Sequence, residues 1–139
     1  MRLLQLNLWY GRLIMNTVRF LENSPPDILC LQEVMSNAEC DGFNFNNLQK
    51  LKRELGYEYD YYAPSLDFVT GDTSTQFGNA ILSRQPIEPV KTVFTFGSYT
   101  GHFSFKNRDK LPWNFQHAVI GGHNIINHHG FWVDGDKYG

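Results

Sequence analysis

The most constraining feature of the sequence is an apolar segment, residues 27–34 with the sequence DILCLQEV, in which a carboxylate stands close to the end. An apolar run without alternation is typical of a β-strand that is covered on both faces, so this segment predicts a strand inside a layered structure. An ionised Glu33 would lose its hydration there unless a cation or hydrogen-bond donors met it. The segment therefore predicts a buried strand with a polar site at its end.

Composition limits the chain to one ordinary domain or part of one, since it has 139 residues, of which 42% are hydrophobic. The 12 basic and 14 acidic side chains are balanced, so the charge does not demand nucleic acid or an anionic membrane as partner. The two cysteines stand in different settings, which argues against a disulfide framework. No apolar run is as long as a membrane span and no cleavable leader is recognisable, so we expect a cytoplasmic location.

Hydrophobic periodicity divides the chain into alternating strands and helices. It predicts a strand at 2–9, a helix at 14–22, a strand at 27–34, a helix at about 44–55, and strands at 57–63, 75–83 and 89–96. A loop is predicted from about 97 to 113. The last two strands, 114–120 and 123–129, flank Gly121 and Gly122, which both accept the positive φ that a tight hairpin turn requires.

The opening strand, helix and strand predict a right-handed βαβ unit, in which the carboxyl ends of the two parallel strands meet at one edge of the sheet. Asn7 and Glu33 lie near those ends, and this edge is where open α/β sheets bind ligands. Carboxylate and amide oxygens suit a hard cation such as Mg²⁺. We therefore expect the two side chains to lie close enough to share one cation.

The hairpin predicts a second group of polar side chains. With Gly121 and Gly122 as the loop residues, residue 116 faces 127 and residue 114 faces 129. One face then carries Asn114, Gln116, Asn127 and His129, and the other carries His117, Ile126 and His128. A bulge would exchange the roles of His128 and His129. Without a bulge, His129 points to the same edge as Glu33.

Four motifs follow one another along nearly the whole chain, namely LLQLNLWYG, PDILCLQEV, FGNAILSRQPI, and HAVI followed by NIINHHG. This ordered set resembles the N-terminal half of the endonuclease/exonuclease/phosphatase superfamily, the DNase I-like proteins. The resemblance implies an α/β fold, a four-layer sandwich of two mixed β-sheets with outer helices, of which residues 1–139 form a partial domain. It also implies a hydrolase that uses Mg²⁺, or Mn²⁺, to cleave a phosphoester in a nucleic acid, a phospholipid or a small organophosphate.

The resemblance also assigns roles to single positions. Asn7 and Glu33 match the metal-site residues of the family, and His129 matches its first active-site histidine. Asn79 lies in a strand near the phosphate. The remaining candidates for substrate contact are Gln116 and Asn127, which share a hairpin face with His129.

Two family motifs, Gly-Asp-x-Asn and a terminal Ser-Asp-His, do not occur in this sequence. In the family they supply the Asp that orients or deprotonates the attacking water, an Asn that holds the phosphate, and the second histidine. The resemblance therefore implies a partial chain that is inactive alone and prone to self-association through unpaired strand edges. The alternative is a non-catalytic fragment or small interaction domain, in which Glu33 pairs with a basic side chain and Asn7 bonds to a turn.

Overall fold

The computed structural model describes residues 1–36, 39–40, 43–44, 46–70, 73–103 and 111–130. Two α-helices lie in these ranges, α1 (Ile14–Glu22) and α2 (Asn47–Leu55), and a short 3-10 turn spans Trp9–Gly11. The strands are β1 (Leu3–Asn7), β2 (Ile28–Ser36), β3 (Glu39–Cys40), β4 (Phe43–Asn44), β5 (Tyr59–Thr70), β6 (Thr73–Ser83), β7 (Ile87–Phe96), β8 (Thr100–Phe103), β9 (Trp113–Ile120) and β10 (His123–His128). Neither helix is long and apolar enough to cross a membrane.

The strands form two main sheets. The larger sheet has the order β1-β2-β6-β5-β8; β1 runs parallel to β2 and β8 runs parallel to β5, whereas the other pairs are antiparallel. The smaller sheet has the order β10-β9-β7 and is antiparallel throughout, and β3 forms a separate pair with β4 in the described ranges. The parallel pairing of β1 and β2 confirms the predicted opening βαβ unit.

Strand β2 is buried on both faces, as its apolar sequence predicts. Leu29 and Leu31 belong to a hydrophobic cluster with Val18 of α1 and Leu51 of α2. The alternate residues of β2 face the smaller sheet, in a cluster formed by Ile28, Cys30, Ile81, Ala118, Ile120 and Ile125. The helices therefore cover one face of the larger sheet, and the smaller sheet covers the other.

The described residues thus form three layers of the expected four-layer sandwich, and the predicted α/β class is confirmed. Within these ranges no helix covers the outer face of the smaller sheet, because both helices pack on the larger one. Ile126 on that outer face is 63% exposed.

Several boundaries differ from the sequence prediction, and two of them have a clear local cause. Helix α2 begins at Asn47 instead of 44, because the Asn46 side chain accepts a hydrogen bond from the Gln49 backbone and caps the helix there. Strand β5 runs to Thr70, past a register shift between Pro64 and Leu66 that accommodates the proline within a sheet.

The predicted loop from 97 to 113 contains β8, which is a correction to the sequence reading. This strand has only four residues and no alternating pattern, so its signal is weak. Its formation depends on pairing with β5, and Phe103 packs against Phe68 with ring centroids 5.7 Å apart. A contact between residues so far apart in sequence is not visible in a local pattern.

We expect Cys30 to resist alkylation until the protein unfolds. The side chain is 2% exposed, and burial raises the pKa of its thiol to about 11, so the reactive thiolate is scarce. In a Cys40→Ser background, iodoacetamide at mildly alkaline pH should modify Cys30 only after guanidinium chloride is added, as measured by mass spectrometry. Equally fast modification of the native and unfolded protein would contradict the packing of β2 between two layers.

Candidate active site

Asn7 and Glu33 meet where β1 and β2 end side by side. The Asn7 Nδ2 donates a hydrogen bond of 3.0 Å to Glu33 Oε1, and the Asn7 Oδ1 accepts one of 2.8 Å from the Trp9 backbone. The expectation that the two side chains lie together is confirmed. Their role as metal ligands stays a prediction, because the Asn7 amide directs its nitrogen, and not its oxygen, toward the carboxylate.

Glu33 lies in a β-bulge. The pairing of β2 with β6 jumps from Leu31 opposite Ala80 to Val34 opposite Gly78, which leaves Gln32 and Glu33 out of register. Glu33 has a φ of 55°, and it is one of three non-glycine residues with positive φ in the described ranges. Bulges re-aim side chains, and a left-handed conformation at a residue with a Cβ is strained, so the backbone holds Glu33 in place at an energetic cost.

His129 completes the group from the smaller sheet. Its Nε2 lies 3.3 Å from Asn7 Nδ2 and 3.6 Å from Glu33 Oε1, and its ring stands edge-on to Trp113 with centroids 4.3 Å apart. His128 is the last residue of β10, opposite Phe115, and its ring lies near that side chain on the other face. The prediction that His129, and not His128, points to Asn7 and Glu33 is confirmed.

The hairpin register agrees with the sequence prediction over most of its length. Ile120 pairs with His123 and Gln116 pairs with Asn127. The ladder ends at the pair of Phe115 and His128, so the expected pairing of 114 with 129 does not form. His129 is thereby free to leave the strand direction and reach the end of β1.

Burial controls the ionisation of these groups. It raises the pKa of the Glu33 carboxyl, an effect that the hydrogen bond from Asn7 opposes. Burial, and secondarily the neighbouring His128, lowers the pKa of His129 to about 4. The imidazole is therefore uncharged at neutral pH, and its approach to Glu33 is not an ion pair there. The Glu33 Oε2 is buried without a hydrogen-bond partner among the described residues.

The other three predicted site residues lie between the sheets. Asn127 and Gln116 are fully buried, and Asn79 is 4% exposed. Asn127 Nδ2 donates hydrogen bonds of 2.9 Å to the backbone oxygens of both Leu31 and Ala80 on the larger sheet. Gln116 Nε2 donates one of 2.6 Å to the backbone oxygen of Tyr61. These amides join the two sheets, and their contact with a substrate stays a prediction.

The inter-sheet hydrogen bonds also include Gln32 and Ser65, which the sequence did not single out, and Asn114, which it placed on the polar hairpin face without a site role. Gln32 Nε2 donates to Asn127 Oδ1 at 2.6 Å, and Asn79 Nδ2 donates to Asn114 Oδ1 at 3.0 Å. Asn114 Nδ2 in turn donates to Ser65 Oγ at 2.8 Å. The sequence could have indicated a role for Gln32, because it lies inside an otherwise apolar strand and a buried amide requires hydrogen-bond partners.

The strained turn after Asn7 was not predicted from the sequence. Trp9, Tyr10 and Gly11 have φ values of 47°, 58° and 80°. The Tyr10 ring stacks on Phe77 with centroids 5.3 Å apart, and burial together with the Glu33 charge raises the pKa of its phenol. Trp9 is 52% exposed. The turn therefore places the Tyr10 side chain inside the site region and the Trp9 side chain at its surface.

Two β-sheets packed face to face, with helices on the outer face of the larger one, give the chain a DNase I-like fold, and a carboxylate, an amide and an uncharged imidazole meet at the ends of its strands. The chain belongs to the endonuclease/exonuclease/phosphatase family, whose sequence model matches residues 4–137. The family name joins nucleases and phosphatases, which are phosphoester hydrolases. The chain has no significant match among curated proteins.

Two solved structures illustrate the similarity of fold. An endonuclease/exonuclease/phosphatase family protein from Leptotrichia buccalis C-1013-b is 18% identical with a TM-score of 0.62, and the match covers 96% of this chain and 56% of that one. An endonuclease/exonuclease/phosphatase from Beutenbergia cavernae DSM 12333 is 17% identical with a TM-score of 0.54, and the match covers 81% of this chain and 31% of that one. The chain thus spans little more than half of the first structure and about a third of the second.

We expect Glu33→Gly to be more stable than Glu33→Ala. Both changes remove the carboxylate, but only glycine relieves the left-handed backbone, which costs about 1 kcal/mol for a residue with a Cβ. Chemical unfolding monitored by circular dichroism measures the difference. The matched control is Lys91 on exposed strand β7, where φ is not positive and glycine should be the less stable substitution. The same order at both positions would contradict strain at Glu33.

We expect Asn127→Ala to lower the free energy of unfolding by about 3 kcal/mol, because it removes two hydrogen bonds to backbone carbonyls and takes away the buried acceptor of the Gln32 amide. Asn124→Ala on the same strand is the control, since the Asn124 side chain is exposed and, among the described residues, bonds only to His117; it should cost about 0.5 kcal/mol. Denaturant titrations of both variants provide the comparison. Equal effects would show that the inter-sheet bonds of Asn127 contribute little.

Proposed function

We propose that this chain carries the metal-binding part of the active site of a phosphoester hydrolase that uses Mg²⁺, with Mn²⁺ as a possible substitute. The observation that supports this proposal is the buried Glu33 Oε2, which has no partner in the described ranges although it stands beside Asn7 and His129. A buried carboxylate oxygen without a donor is costly unless a cation compensates it.

The donor set fits a hard divalent cation. Glu33 supplies a carboxylate oxygen, and Asn7 supplies an amide oxygen once its side chain turns from Trp9, so the remaining ligands are water or substrate oxygens. The described residues contain no group of three or more His, Cys, Asp or Glu side chains arranged for a metal, which agrees with a sparse, water-rich Mg²⁺ site. When bound, such a cation polarises a phosphoryl oxygen and offsets its developing charge.

His129 would contact the phosphate directly. Because burial lowers the pKa of His129 to about 4, the ring is neutral at working pH and can donate one hydrogen bond to a phosphoryl oxygen. The T-shaped contact with Trp113 restricts the orientation of the imidazole ring. Asn79, Gln116 and Asn127 would serve this site by holding the smaller sheet, which carries His129, against the strands that carry Asn7 and Glu33.

Membership of the family supports a phosphoester substrate, and we propose a nucleic acid, a phospholipid or a small organophosphate. The residue that would activate water is not identified in the described ranges. We therefore propose that the chain alone binds metal without turning over substrate. A non-catalytic interaction domain is the second candidate, favoured by the Asn7 amide, which directs its nitrogen and not its oxygen toward Glu33.

We expect millimolar Mg²⁺ to raise the melting temperature of the wild-type chain and to leave that of Glu33→Gln unchanged, because a ligand that binds only the native state stabilises it. Glu88→Gln, an exposed acidic position on β7, is the control and should respond as wild type does. Parallel assays with bis(p-nitrophenyl) phosphate should show no turnover above background. An identical Mg²⁺ response in Glu33→Gln and wild type would reject the metal site and favour the interaction domain.

A further inference from the structure

We propose that Arg12, stacked on Trp9, binds a second phosphate group of the substrate beside the one at Glu33 and His129. This inference rests on the proposed function and refines it, because it selects substrates with at least two neighbouring phosphates, such as a polynucleotide or a diphosphate. No motif of the sequence analysis assigned a role to Arg12.

The location of the pair follows from a chain of direct contacts. The Trp9 backbone donates its hydrogen bond to the Oδ1 of Asn7, whose Nδ2 contacts both Glu33 and His129. The Arg12 backbone then donates to the Trp9 carbonyl at 3.1 Å, which closes the turn. The Arg12 guanidinium lies 4.5 Å from the centre of the Trp9 ring. The Arg12 guanidinium therefore stacks on a residue whose backbone is hydrogen-bonded to Asn7.

The charge of Arg12 is available for an anion. Arg12 is exposed, and no acidic side chain of the described residues forms a salt bridge with it. Stacking on an indole restricts the guanidinium while leaving the N–H groups at its edge free, and this planar fork matches two phosphate oxygens. An ordinary surface arginine would have to lose more side-chain freedom on binding.

The turn that supports the pair is strained and tightly packed. Trp9, Tyr10 and Glu33 are the three non-glycine residues with positive φ in the described ranges, and two of them form this turn. A Cβ at Gly11 would lie 2.2 Å from the Asn47 side chain, so the turn is wedged against the start of α2. Strain that clusters around one group of side chains and holds an indole half-exposed indicates a function for that indole.

The test uses pyrophosphate as the probe, without metal and at low salt, with binding followed by nuclear magnetic resonance of the indole N–H groups. Pyrophosphate should shift the Trp9 signal, which Trp9→Phe identifies by its disappearance. Arg12→Gln should weaken binding about tenfold or more, and Arg12→Lys several-fold, because lysine keeps the charge but loses the planar fork. Arg19→Gln, an exposed arginine on α1, removes the same charge and should leave binding unchanged.

The outcomes separate this inference from the proposed function. Pyrophosphate binding that depends on Arg12 and persists in Glu33→Gln supports the second phosphate site, whatever the result of the Mg²⁺ titration. If Arg12→Gln and Arg19→Gln weaken binding equally, the effect is general charge and the inference is wrong. If neither variant affects binding while Mg²⁺ still stabilises the wild type through Glu33, the second site is rejected and the metal site stands.

Discussion

The site depends first on hydrogen bonds that cross from one sheet to the other through buried side-chain amides. Asn127 bonds to two backbone oxygens of the larger sheet, and Gln116 bonds to a third. These bonds are directional, unlike the apolar contacts around Cys30 and Ile120, so they fix how the hairpin of β9 and β10 lies on β2 and β6. His129 follows β10 directly, and its approach to Asn7 is a result of that alignment.

The second determinant is backbone strain around the same group. Asn7 links the two strained elements, because it bonds both to the bulged Glu33 and to the backbone of Trp9 at the start of the left-handed turn. The hydrophobic core beneath, with Leu29 and Leu51 fully buried, supplies the stability that offsets this strain. Among the described residues, the strained non-glycine backbone therefore lies where a carboxylate and an indole are held in one orientation.

The sequence predicts those parts of the fold that arise from local patterns. The apolar run of β2, the βαβ order and the Gly121-Gly122 turn placed Asn7 beside Glu33 and distinguished His129 from His128. The bond from Gln32 to Asn127 was not predictable, because it joins residues 95 positions apart and depends on how two sheets face each other. The same reason explains the missed strand β8. The amides of Gln116 and Asn127 stood out as polar, but only the packing shows that they bond to backbone.

The amide bonds between the sheets also restrict how the site can come apart. Side chains alternate along a strand, so a slip of β10 by one residue would turn Asn127 outward and bring Ile126 or His128, depending on the direction, to the position opposite the carbonyls of Leu31 and Ala80. A slip by two residues would move His129 by about 7 Å, well beyond reach of Asn7. Neither slip keeps both the bonds of Asn127 to Leu31 and Ala80 and the contact of His129 with Asn7. The group of Asn7, Glu33 and His129 is therefore either fully assembled or lost, and small thermal shifts of the sheets do not adjust it by degrees.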